Sequence, residues 1–211
     1  MLRRIPGLDR VAERCLSTAR WGGSVVCMLV DAGITSTGVS YFSVVVPRVR
    51  RFQQEFVEAG RITCLEELAE ADTEELLGLW GNRRSWRMVR GVAEELLSYP
   101  GGDAEALRRW AGSVELQGWR TQPVGRVAGV GINTFQYLRM MGGVDTVMPD
   151  RIVRRFVREV AGVHAEDELR LVSAAEELAE STGMSATELC FTAWVWSCRD
   201  KKRAVEQLLS I

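Results

Sequence analysis

The chain has 211 residues, 46% of them apolar, with 27 Lys and Arg against 28 Asp and Glu and a single His. That length allows one domain or two small ones sharing a core. A net charge near −1 excludes a protein that coats nucleic acid through overall basicity, although it leaves room for a local basic face. No apolar run approaches the roughly 18 residues of a transmembrane helix. MLRRIPGLDR at the start lacks the apolar stretch of a secretory signal, so a soluble intracellular chain is expected.

In chain order, the predicted elements are almost all helical. YFSVVV at 41–46 has a strand-like composition but no partner strand, and is predicted as a helix ended or bent near Pro47. Thr63 with Glu66, Asp72 with Glu75 and Ser185 with Glu188 have the spacing of capping boxes, and Gly60, Gly81, Gly118 and Gly183 mark stops or turns. Segment 84–97 places Trp86, Val89, Ala93 and Leu96 on one helical stripe. A further helix is predicted over roughly 132–142. Segment 151–160 sets Ile152, Val153, Phe156, Val157 and Val160 against a face of Arg151, Arg154, Arg155 and Arg158. Segment 165–180 repeats the pattern with Leu169, Val172, Ala175 and Ala179, and 189–198 (LCFTAWVWSC) is apolar on nearly every side, as in a central buried helix. The fold class expected is all-α, with about ten to twelve short helices and no internal repeat.

The five cysteines (Cys15, Cys27, Cys64, Cys190 and Cys198) are odd in number and never spaced C-x-x-C. They are expected as reduced thiols, mostly in the core, and not as a zinc or iron–sulfur site. The lone His164 is expected in an exposed loop. Basic residues cluster at Arg48–Arg51, Arg83–Arg90, Arg151–Arg158 and Arg199–Arg203; such runs are either solvated helix faces or one positive face for phosphate.

The stretch that points to chemistry is 124–159. Gly129-Val130-Gly131-Ile132-Asn133-Thr134 precedes a predicted helix, whose unpaired backbone N–H groups would seat one phosphate. Two glycines one apart allow left-handed dihedrals in a tight turn. A dinucleotide loop is excluded, because Thr134 stands where its third glycine would be. Seventeen residues after Asn133 comes Asp150, after Val147-Met148-Pro149 and ahead of the Arg-rich helix. An Asp there is also an ordinary N-cap.

In this order and spacing the sequence resembles the helix-hairpin-helix DNA glycosylases, the superfamily of endonuclease III and of the adenine, alkyladenine and oxoguanine glycosylases. Their hairpin, L-P-G-V-G-x-x-T-A, corresponds here to VAGVGINTF, and their later V-D-T-H-V with its basic helix to VMPDRIVRRF. CLEELAEADTEELLGLWGNRRSWRMVRGVAEEL and MLVDAGITST resemble upstream helices of the family, so the resemblance spans about 24–160. It implies a two-lobed helical fold. Residues 23–142 would form the lobe with the helix-hairpin-helix, and 1–22 with 143–211 a discontinuous second lobe.

The resemblance also implies site residues. Asp150 matches the catalytic aspartate; Asp145, in Val144-Asp145-Thr146, matches the letters more literally but comes too soon after the hairpin. Gly129, Val130, Gly131 and Thr134 match the phosphate-binding hairpin. Asn133 stands at the lysine of the bifunctional members and cannot form a Schiff base. Gly33 stands where many members carry a Gln that fills the gap left by an extruded base, and Asn82 with Arg83 lies near the wedge loop. The function implied is monofunctional base excision on double-stranded DNA by a monomeric, cytoplasmic, DNA-associated protein. No cofactor is expected, although the hairpin backbone could hold a monovalent cation. Trp80, Trp86, Trp119, Trp194 and Trp196 are stacking candidates, most of them expected in the core. Two other classes remain: a non-catalytic DNA-binding protein that keeps the hairpin, and a helical protein-interaction module with a chance Gly-Val-Gly turn.

Overall fold

A computed structural model describes residues 4–211, and every regular element among them is helical. The first three residues of the segment 1–22 expected in the second lobe lie outside the described residues.

Helix α1 (Leu8–Leu16) is followed by a tight segment and by α2 (Val25–Thr35), which is capped by Ser24 and buried from Val25 to Ile34. A π-helical turn (Tyr41–Val45) runs into α3 (Val46–Phe52), and a second π turn (Gln53–Val57) follows it. Pro47 therefore starts the α-helical stretch instead of ending it. It lies in the first turn of α3, at the point where the π turn passes into the α-helix.

Next come α4 (Leu65–Glu70) and α5 (Thr73–Leu77). At α4 the expected pairing is off by one residue. Glu67, not Glu66, reaches back, its Oε2 accepting from the Thr63 N–H (2.6 Å) and Oγ (2.8 Å). Asp72 caps α5 through the Glu74 N–H. Helix α6 (Arg83–Leu96) begins at Asn82, whose Oδ1 accepts from the Ser85 N–H at 3.1 Å, and buries its expected stripe. Then follow α7 (Asp103–Ser113), the short α8 (Pro123–Arg126) and α9 (Ile132–Met141).

The last four helices are α10 (Arg151–Ala161), α11 (Glu168–Thr182), α12 (Ala186–Trp196) and α13 (Lys201–Leu209), capped in turn by Asp150, Asp167, Ser185 and Asp200. Helix α12 is buried continuously from Ala186 to Val195, as its all-round apolarity requires. Val160 and Leu169, expected on buried stripes, are exposed at 38% and 41%, and each lies beside the loop that joins α10 to α11. Cys15, Cys27 and Cys190 are buried, Cys64 and Cys198 half-buried, and all five are free. His164 is exposed between α10 and α11.

Helices α2 to α9 pack chiefly on one another, with α6 against both α2 and α4, and α9 against α2 and α7. Helices α1, α10, α11 and α13 pack around or beside α12, and α1 also touches α9. One contiguous apolar core runs through both groups. No described helix is long and apolar enough to cross a membrane.

Candidate active site

The turn and α9 are built by glycine. The Val130 N–H donates to the Val127 carbonyl at 3.0 Å, closing a β-turn whose third residue, Gly129, has φ +102°. That φ favours glycine, and a Cβ there would also press on Met88 at 3.2 Å. Gly131 does not share the left-handed geometry. It is extended (φ −110°, ψ 173°) and stands at the N-cap of α9 without a side chain to cap it. The first intrahelical bond is Phe135 N–H to the Gly131 carbonyl, so the amides of Ile132, Asn133 and Thr134 have no helical partner.

These residues border a cavity of about 830 Å³. One side is formed by the end of α2 and the segment with Tyr41 and Phe42, the other by Asp150, Arg151 and Trp194. Gly129, Gly131, Asn133 and Thr134 line it together with Asp150, so the turn and the aspartate face the same space. Asn133 is exposed, Val130 half-exposed, and Thr134 buried.

The Asp150 Oδ1 accepts the Ile152 and Val153 N–H groups, both at 2.8 Å. Its Oδ2 closes no hydrogen bond of ordinary geometry among the described residues, although the Trp194 indole N–H lies close enough to favour the charged form. Burial pushes the carboxyl above its ordinary range; the Val153 and Ile152 amides, the nearby Trp194 indole and Arg151 pull it back only in part. The Trp194 Nε1 is fully buried beside the carboxylate and closes no hydrogen bond with any described atom. A carboxylate with one committed and one open oxygen can accept a proton from a water or stabilise a developing positive charge.

Asp145 is spent on structure. Its Oδ1 accepts from the Thr187 N–H (2.8 Å) and its Oδ2 from the Ala186 N–H (3.1 Å), a second cap on α12 beside Ser185. It does not line the cavity.

Behind one wall lies a buried cluster that the sequence reading missed. The Asp31 Oδ2 accepts from Trp21 Nε1 (2.8 Å), Tyr41 OH (2.9 Å) and Tyr137 OH (3.1 Å), with Arg20 Nη2 at 3.5 Å, and its Oδ1 accepts from Thr35 (3.1 Å). Arg20 and Asp31 are 1% and 0% exposed. The signal was present: Asp31 is the one charged residue in VVCMLVDAGIT. The tight segment that delivers Arg20 and Trp21 holds Thr18 and Trp21 at positive φ, a strain of about 1–2 kcal/mol each.

The expected wedge residues divide. Gly33 is buried at the α2–α6 crossing, where a Cβ would lie 2.3 Å from Val89 Cγ2. It is a packing glycine with no surface to offer DNA, and that expectation is corrected. Asn82 is occupied as the α6 cap. Arg83 is exposed but forked onto Glu74, Nη2 donating to Oε2 at 2.9 Å. Arg84 and Arg87, by contrast, are exposed and enter no ion pair among the described residues, and Arg84 lies beside Gly129. Arg90 faces inward, onto the Ala69 carbonyl and Thr73. Of the tryptophans singled out, Trp194 lines the cavity, Trp86 is core, and Trp80, Trp119 and Trp196 are half-buried elsewhere. Among the described residues no cluster of His, Cys, Asp and Glu is placed to hold a metal ion.

A family model described as Domain of unknown function (DUF8548) matches residues 106–198, from within α7 to just past α12. The matched stretch holds the Gly129 turn, α9, Asp150 and Trp194, while Asp31 and Tyr41 lie outside it. No curated protein and no solved structure matches the chain.

Proposed function

We propose that the chain is a DNA glycosylase of the helix-hairpin-helix kind. In this reading α8, the Gly129 turn and α9 are the helix-hairpin-helix, and the two helix groups are its lobes. The observation that carries it is a juxtaposition: the uncapped start of α9 and the half-committed carboxylate of Asp150 border one cavity. At about 830 Å³ that cavity falls within the range of small-molecule pockets and has room for one extruded base.

In the reaction, the backbone amides at the start of α9 and the guanidinium groups of Arg84 and Arg87 hold phosphates without reading sequence. The target nucleotide turns out of the stack into the cavity. Asp150 Oδ2 faces the positive charge that develops at C1′ and takes the proton of the attacking water. Asn133, at the place of the nucleophilic lysine in bifunctional relatives, offers no amine, so the enzyme is monofunctional. A plain N-cap would account for the two backbone bonds of Asp150, which favours the second reading, a non-catalytic DNA-binding protein.

Duplex binding tests the reading first. An electrophoretic shift with abasic and undamaged duplexes should show affinity whose logarithm falls with log salt, by about 0.9 per neutralised phosphate. No shift at low salt would remove DNA as the partner and with it the whole proposal.

A further inference from the structure

The connection from α9 to α10, which ends at Asp150, is held by a chain of buried polar side chains. Gln136, one turn into α9 from Asn133, is fully buried, and Thr146 in the connection is 2% exposed. The Arg139 Nη1 donates to Gln136 Oε1 at 2.8 Å. The Gln136 Nε2 donates to Thr146 Oγ1 at 2.7 Å and to the Val147 carbonyl at 3.2 Å. A guanidinium that can only donate and a carbonyl that can only accept fix the orientation of that amide. Having accepted from it, the Thr146 hydroxyl donates onward to Glu176 Oε1 of α11 at 2.9 Å. Every donor points the same way, from a cation towards a carboxylate, and buried bonds in such a chain strengthen one another.

We propose that Gln136 and Thr146 are positioning residues for base excision: through this chain they set the distance between the amides at the start of α9 and the Asp150 carboxylate. This rests on the glycosylase reading. Asn133, whose amide has no helical partner, stands on the same helix as Gln136, three residues before it. Asp150 stands three residues after Val147, its N–H donating to the Met148 carbonyl at 2.8 Å. Asp145 ties the connection to α12 only. Among the described residues Gln136 is the one side chain of α9 that hydrogen-bonds to the connection.

The reaction needs that distance held. A phosphate and the C1′ of its nucleotide are joined by a short run of covalent bonds. With the phosphate seated on α9, the place of C1′ is confined, and Asp150 Oδ2 has to meet it there to face the developing charge. Misplacing a reacting group by about 1 Å costs on the order of a hundredfold in rate. A Gln and a Thr buried for the fold alone would show themselves in stability only, through the buried partners that their loss leaves unsatisfied.

Two variants of Thr146 test this. Thr146→Val keeps the shape of the side chain and removes the hydroxyl, and Thr146→Ser keeps the hydroxyl. Single-turnover base release at saturating protein, duplex affinity and melting temperature are measured for both beside wild type, on duplexes carrying a panel of damaged bases and well below the lowest melting point. Gln136→Met, which keeps the length and removes the donor, takes the place of a Thr146→Val protein that does not fold. The inference expects Thr146→Val to release base about tenfold to a hundredfold more slowly, with duplex affinity unchanged, and Thr146→Ser to release at nearly the wild-type rate. A Thr146→Val protein that melts lower but releases at the wild-type rate overturns the inference and leaves the glycosylase standing. So does a Thr146→Ser protein as slow as Thr146→Val, or a loss of duplex affinity in step with the rate. Release of no base from any duplex by wild type overturns both.

Discussion

Asp145 and Asp150 are five residues apart, and both cap helices, but only one has an oxygen to spare. Asp145 uses both oxygens on α12 and Asp150 uses one on α10. Asp145→Ala should therefore cost about 1 kcal/mol in urea unfolding, the value of a lost cap, with DNA binding unchanged; weakened binding would give Asp145 a part in the site.

The protonation of Asp150 follows from its burial. Its folded carboxyl titrates above the unfolded one, so the folded chain holds the proton more readily. The stability this contributes is present below the ordinary carboxylate range and is lost as pH rises through the raised folded value. Asp150→Asn does not ionise. Its melting temperature relative to wild type should rise as pH climbs through and above the ordinary carboxylate range, and a constant difference would show that burial does not disfavour the charge.

Asp31 is structural in a different way. Asp31→Ala strands the buried Arg20 guanidinium, a change that costs about 3–5 kcal/mol by denaturant titration, whereas Tyr41→Phe removes one hydroxyl and costs about 1 kcal/mol. Equal small losses would mean that Arg20 finds other partners.

At the scale of elements, the sequence was most legible where one periodic face meets one buried side. Helix α6 was readable from Trp86, Val89, Ala93 and Leu96, α12 from apolarity all round, and α10 from an Asp followed by an alternation of Arg and apolar residues. Boundaries set by local backbone competition were not. Pro47 opens α3 because the preceding π turn already carries the helical path to it, and a composition of β-branched residues says nothing of that. Of the candidate site, the helix cap at Asp150 and the turn at Gly129 were legible, because spacing along the chain preserves their order. Gly33 was misread, since a glycine needed for close helix packing and one that faces a ligand look alike in sequence. The Asp31 cluster joins residues 20, 21, 31, 41 and 137, and only the fold brings them together.

The start of α6 carries its own prediction. Among the described residues Arg84 and Arg87 lack acidic partners while Arg83 has one, so on the proposed reading Arg84→Ala and Arg87→Ala should each lower the salt slope of duplex binding by about 1 and weaken all sequences alike. Arg83→Ala should change it less. A larger effect at Arg83 would mean that Glu74 releases it on binding.

For the whole molecule, the cavity lies where two groups of helices meet: Tyr41, Tyr137 and the Gly129 turn come from one, Asp150 and Trp194 from the other. The most direct test is single-turnover base release by wild type and Asp150→Asn on duplexes carrying a panel of damaged bases, with melting temperatures taken on the same preparations. Asn keeps the size of Asp and most of its capping, so the variant should stay folded and bind duplex DNA as wild type does. On the proposed glycosylase reading it loses the charge that faces C1′, and release should slow by about two to three orders of magnitude. Equal rates of release from the two proteins would contradict the account, because Asp150 would then be a helix cap and nothing more.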